Sequence, residues 1–271
     1  AGQGESNIRR WIIENDWLEA IIALPLNMFY NTGIATYIWV LTNRKAKHRK
    51  GKVQLIDATA WFRPLRKNLG KKNCELSPDD IARIVNTFLA FKETPQSRIL
   101  PNEALGYWKV TVERPLRLKG AEPGRVYTAK EIKALRESGE RDPSASPVIT
   151  KVHKKGTKPD PLRGRFETMI DGKPAVVEYA PDSDLRDTEQ IPLLEEGGIE
   201  AFIRREVLPY APDAWIDESA TKVGYEVSFT RYFYKPAPLR TLEEIKADLE
   251  ALHDEAEGLL DQIVAPVGGR A

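Results

Sequence analysis

Two apolar runs constrain this chain more than anything else in it: Ala20-Ile21-Ile22-Ala23-Leu24-Pro25 and Ala35-Thr36-Tyr37-Ile38-Trp39-Val40-Leu41-Thr42. Both are nearly continuous and rich in Ile, Val and aromatic residues, so they read as strands buried on both faces of a covered sheet. Between them Asn27-Met28-Phe29-Tyr30-Asn31-Thr32-Gly33 has the chemistry of a loop, yet it carries two adjacent aromatics. Such a pair either packs on the sheet edge or faces a ligand, and the residues alone leave both open. Upstream, Ser6 can cap a helix over roughly 7–17, with Ile8, Trp11, Ile12, Asn15 and Leu18 near one face. Downstream, Val53–Asp57 is a third strand, with Val53 and Leu55 sharing a face.

No later run matches these two, so the strands that complete their sheet are expected before Ala1. The chain is therefore expected to be a piece of a longer protein.

With 271 residues, 41% hydrophobic and 30% charged, the chain can bury a core and is not of disordered composition. It has no apolar run of about 18 residues, so no membrane span is expected. The lone cysteine, Cys74, allows no internal disulfide and fits a cytoplasmic location. His48, His153 and His253 are too scattered to form a metal site with it, so no metal is expected. Net charge is +1, which announces no nucleic-acid binder, but local charge is uneven. Arg44, Lys45, Lys47 and Arg49 crowd one stretch; Arg63, Arg66 and Lys67 follow Trp61-Phe62 in another; 151–165 is a third. Solvated loops and phosphate contacts both account for such runs.

Further on, Ser77-Pro78-Asp79-Asp80 opens a helix, and Ile81, Ile84, Val85, Phe88 and Leu89 repeat at helical spacing behind it. Gly106–Leu116 alternates as a strand, faintly echoed by Gly224–Tyr234. Residues 121–190 read as a charged inserted subdomain, with a short helix over 129–137 and a hairpin turning at Asp171-Gly172. A short helix over 200–207 follows. At the end Thr241 and Glu244 form a capping box, and Leu242, Ile245, Leu249, Leu252, Leu259 and Ile263 step by three and four, with Ala256 filling the row. So narrow a seam suits a coiled-coil partner, although packing against the chain's own helices stays open.

Three stretches carry a family resemblance: Gly4-Glu5-Ser6-Asn7-Ile8-Arg9-Arg10-Trp11, the loop with its flanking strands, and Gly51-Lys52-Val53-Gln54-Leu55-Ile56-Asp57-Ala58. Together they resemble the modification (M) subunit of type I restriction–modification systems, and 106–116 and 224–234 resemble further stretches of it. The resemblance implies an α/β fold. Residues 1–58 would be the C-terminal end of a Rossmann-like methyltransferase sheet, 59–120 a helical and strand connector, 121–190 the insert, 191–240 a mixed region, and 241–264 an assembly helix. It implies methylation of adenine N6 in DNA with S-adenosylmethionine in the full-length parent, and places Phe29, Tyr30 and Asn31 in the target-base pocket. It also implies the specificity (S) subunit as partner of the last helix, and the restriction (R) subunit as a further partner. The family's catalytic Asn/Asp-Pro-Pro-aromatic tetrapeptide and its glycine-rich cofactor loop are absent from these residues. No bound cofactor and no activity are therefore expected of this stretch alone. The alternative from another class is a non-enzymatic module that docks a specificity subunit and DNA.

Overall fold

In the computed structural model the first helix, α1 (Gly4–Glu14), leads directly into β1 (Leu18–Ala23), the best-buried strand of the chain. The structure describes residues 4–236 and 240–264, the side chains of 138 and 257–264 excepted. β1 pairs antiparallel with β2 (Tyr37–Leu41) and parallel with β3 (Lys52–Asp57). β4 (Arg63–Leu69) and β5 (Lys72–Glu75) form a separate two-stranded ribbon. Helix α2 (Pro78–Ala90) and β6 (Ser97–Pro101) then complete the first sheet, in the order β2-β1-β3-β6. Ser77 caps α2, as its sequence predicts, and closes a full capping box with Asp80.

The sheet corrects two expectations. β1 is buried on both faces, but β2 is not: Tyr37, Ile38 and Leu41 are 46%, 45% and 51% exposed. The reason is position, since β2 ends the sheet and α2 gathers its cluster around Ile22, Ile56 and Ile84, reaching β2 only at Val40. In α1 the inward residues are Ser6 and Ile13, whereas Ile8 and Trp11 face out, Trp11 standing edge-on to Trp17 with ring centres 4.5 Å apart. The helix is turned this way because it is tied elsewhere: Arg9 Nε donates to the Tyr225 carbonyl at 3.1 Å. The α2 stripe is likewise only partly used, with Ile84 buried and Ile81, Val85 and Leu89 exposed.

A second sheet begins with β7 (Gly106–Glu113), which is flanked by β11 (Asp187–Pro192) and β12 (Trp215–Tyr225). Val112 pairs with Asp187, so the chain leaves this sheet after Glu113 and returns at Asp187. The excursion holds α3 (Ala129–Ser138) and the sheet β8 (Ile149–Val152), β10 (Lys173–Tyr179), β9 (Phe166–Ile170). Its hairpin turns at Asp171 and Gly172, with φ of 49° and 72°, the left-handed pair that a two-residue turn needs. Helix α4 (Gly198–Phe202) passes into a wider turn over 203–207 and covers the core around Val110, Ile191, Ile203 and Ile216.

The echo between 106–116 and 224–234 is not a structural repeat. Gly224 and Tyr225 pair with Tyr107 and Gly106 across β7 and β12, and 229–233 is helical (α5, Phe229–Phe233). Residues through Tyr232 form one body and those from Phe233 a second. In the second, α6 (Leu242–Val264) is a single helix capped by Thr241 and Glu244 as expected. No helix among the described residues is long and apolar enough to cross a membrane.

Candidate nucleic-acid interface

The loop between β1 and β2 is a closed structure. Its neck is tied by the Leu24 N–H donating to the Thr36 carbonyl at 3.0 Å. Its crown is folded back by Thr32, whose N–H reaches the Phe29 carbonyl and whose hydroxyl reaches the Tyr30 carbonyl, both at 3.3 Å. Asn27 and Asn31 take left-handed backbone, φ 56° and 53°, a conformation Asn tolerates better than most residues. The fold-back turns the aromatics outward: Phe29 is 46% and Tyr30 67% exposed, and Asn31 is exposed beside them. Neither ring is packed away on the sheet edge.

The β4–β5 ribbon stands against this loop. The Asn73 N–H donates to the Asn27 carbonyl at 3.1 Å and the Cys74 Sγ to the Leu26 carbonyl at 3.2 Å. Burial pushes the Cys74 thiol up, with Lys72 acting against it, and the buried side chain pins the ribbon to the loop. Of Trp61-Phe62, Trp61 goes into the core under Arg83 and Phe62 stays exposed. Arg63 is held by Glu75 at 2.7 Å. Arg66, Lys67 and Lys71 are exposed and, among the described residues, have no ion-pair partner. The aromatic loop and the basic ribbon (63–75), far apart in sequence, thus lie against one another. Turn chemistry at Gly70-Lys71 was the signal that could have revealed the ribbon.

The other basic stretch divides. Arg44 and Lys47 are exposed, while Lys45 and Arg49 are buried and leave the list of phosphate contacts. Lys45 Nζ donates to Asp16 at 2.5 Å and to the Lys52 carbonyl at 2.7 Å. Burial alone would push the Asp16 carboxyl up, but Lys45, the Gly51 N–H and Asn102 outweigh it and hold it below its ordinary value. Arg49 lies between the rings of Phe88 and Phe91, its Cζ 4.2 and 4.3 Å from their centres. Both cations serve the folding of the 43–52 loop onto the sheet.

On α6, Leu242, Ile245, Leu249 and Leu252 are all exposed; the side chains of Leu259 and Ile263 lie outside the described residues. Among the described residues no cluster of His, Cys, Asp and Glu is suited to a metal ion.

Residues 1–104 match the family of N-6 DNA methylases. The methylase subunit of the type I restriction enzyme MjaIX of Methanocaldococcus jannaschii is 33% identical over 132 residues, covering 48% of this chain and 23% of that protein. The MpnII methylase subunit of Mycoplasma pneumoniae is 38% identical over 89 residues, 33% of this chain and 15% of that protein. Among solved structures, the type I restriction-modification methyltransferase subunit of Streptococcus thermophilus aligns with a TM-score of 0.33 at 24% identity, covering 39% of this chain and 21% of that one. The matched stretch thus spans less than a quarter of each of these relatives. Both the aromatic loop and the ribbon fall inside the matched residues. Over its first 104 residues the chain is therefore similar to the N-6 DNA methylases, in the form carried by methylase subunits of type I restriction enzymes.

Proposed function

We propose that this chain is the part of an adenine-N6 DNA methyltransferase subunit that holds the target base and the adjoining DNA backbone. The observation that carries the reading is the exposed Phe29–Tyr30 pair on a closed loop, flanked by unpaired cations. An adenine must leave the duplex stack before its amino group can react. Two exposed rings on a braced loop offer the flipped base a stacking surface, with Asn31 alongside to meet its polar edge. Arg66 and Lys67 on the ribbon supply backbone neutralisation; Arg44 and Lys47 stand on the loop at the opposite end of the β1–β2 pair, beside Asp16, where they would meet a more distant stretch of backbone. In this reading the first sheet is the end of a Rossmann-like methyltransferase sheet, and the protein works in the cytoplasm.

S-adenosylmethionine would supply the methyl group in the parent protein, and the described residues carry no glycine-rich strand–turn–helix of the kind that would hold it. Neither parallel strand, β1 or β3, runs into a glycine-rich turn and helix. Asp57, at the end of β3, is engaged by the Thr59 N–H and hydroxyl at 3.1 and 2.5 Å. No step of transfer is therefore assigned to these residues.

The second reading is an assembly module. It is favoured by the exposed heptad row of α6, which suits a coiled-coil partner such as the helices of a specificity subunit, with a restriction subunit joining the same complex. The two readings are compatible within one protein.

The test of the first is Phe29→Ala in the whole methylase. Loss of stacking worth about 1–3 kcal/mol should slow adenine methylation by roughly 5- to 150-fold with the melting temperature unchanged. An unchanged rate, or a slower rate accompanied by loss of the fold, refutes it.

A further inference from the structure

The ribbon's tip lies against the crown of the loop. Gly70 opens the two-residue turn between β4 and β5 with φ +60°. A Cβ there would stand 2.4 Å from Asn31 Oδ1 and 3.2 Å from Tyr30 Cε2, so a methyl group at this position would displace the Asn31 amide and push on the Tyr30 ring. Lys71, the second turn residue, runs its side chain beside Gly33. A two-stranded ribbon is at best marginally stable by itself in water. Here it is fixed by what it touches: the tip on Asn31, the Asn73 N–H on Asn27, and Cys74 on Leu26. Loop and ribbon therefore order one another.

The charges sit where such a brace would meet DNA. Lys67 and Lys71 flank the tip, both exposed and unpaired among the described residues. Lys67 stands three residue steps before Gly70, about 10 Å at a rise of about 3.3 Å each, which spans about three base-pair steps of the duplex. We propose that the β4–β5 ribbon is a positioning arm for DNA: Lys67 and Lys71 hold backbone phosphates, and the Gly70 tip sets the height of Tyr30 and Asn31 against the extruded base. This rests on the reading of the loop as the base-stacking surface. It adds that backbone grip and base stacking are separate functions joined where the ribbon meets the loop, with Gly70 the contact nearest the stacking residues. Gly70 is a positioning residue in this arrangement.

The test uses the full chain and a fluorescein-labelled duplex with one unpaired 2-aminopurine. Anisotropy at several salt concentrations reports the phosphate contacts, and quenching of 2-aminopurine at saturating protein reports stacking. Lys67→Gln with Lys71→Gln should lower the slope of log K against log salt by about 1.8, about 0.9 per contact, and leave the saturated quenching intact. Gly70→Ala should leave the slope unchanged and lose the quenching. Gly172→Ala is the control: its glycine has φ +72° but nothing within 4 Å of the added Cβ, so it carries similar backbone strain without the contact. That variant should keep both signals. An unchanged slope in the double lysine variant overturns the proposal whether or not Gly70→Ala folds. Quenching that survives Gly70→Ala overturns the positioning role while leaving the base-stacking reading standing. A wild-type chain that binds without quenching overturns both.

Discussion

Arg49→Ala separates a folding role from a DNA-contacting one at a residue whose sequence context suggests the latter. The residue is buried, with only 5% of its surface exposed. It lies between two rings, Phe88 and Phe91, and donates to Gln54 Oε1 at 3.3 Å and to the Phe88 carbonyl. A desolvated cation–π contact contributes up to about 2 kcal/mol. Each acceptor left without its donor costs about 1–3 kcal/mol. These terms overlap, because the same side chain makes all of them and the site can partly relax. A net loss of about 3–5 kcal/mol follows, large for a single substitution. For a body of this size about 2–4 °C of melting temperature corresponds to each kcal/mol, so a fall of roughly 10 °C is expected. The left-handed backbone of Phe91, φ 44°, should be the first feature lost, because its ring is held by Arg49 and by His48, edge-on at 5.4 Å. The assay is thermal and urea unfolding of Arg49→Ala beside Arg44→Ala and Lys47→Ala, which touch nothing comparable and should shift stability by no more than about 0.5 kcal/mol. DNA affinity is then measured well below the lowered melting point. An Arg49→Ala protein with wild-type stability and weakened DNA binding would refute the folding role.

Acid should act on Asp16 in a defined direction. Its folded carboxyl is held below the ordinary 3.8, so its stabilising contribution is complete above that value and is lost as pH falls through the lower one. The stability gap between wild type and Asp16→Asn should be constant above about pH 5 and close below about pH 4; urea midpoints across that range give the answer, and a gap that widens toward acid contradicts the reasoning. Leu249→Lys with Leu252→Lys should abolish co-purification with a specificity subunit. Both side chains are already exposed, so the melting temperature of the isolated chain should barely move; unfolding of the double variant would show the seam to be internal core. Calorimetry of the chain with S-adenosylmethionine should show no binding, and a micromolar constant would overturn that expectation.

Local signals in this chain were legible wherever one short segment contained the whole physical cause. The Asp171-Gly172 hairpin, the Ser77 cap, the Thr241–Glu244 capping box, and the burial of β1 each follow from a few neighbouring residues. The resemblance to type I modification subunits was legible for a similar reason: it rests on contiguous words of sequence.

Other features depend on which segment comes to lie against which, and periodicity carries no such information. β2 has the composition of a buried strand, but its place at the end of the sheet leaves it exposed. α1 turns Ile8 outward because Arg9 is tied to Tyr225, 216 residues away in the chain. Lys45 and Arg49 read as charges in a basic loop; an aspartate at 16 and two phenylalanines beyond residue 87 convert them to interior groups. The same long-range folding brings the 63–75 ribbon onto the 26–34 loop. Residue types named the candidate contacts one at a time, and tertiary structure decided which of them face the same side, because a charge becomes a contact or a brace according to what closes over it.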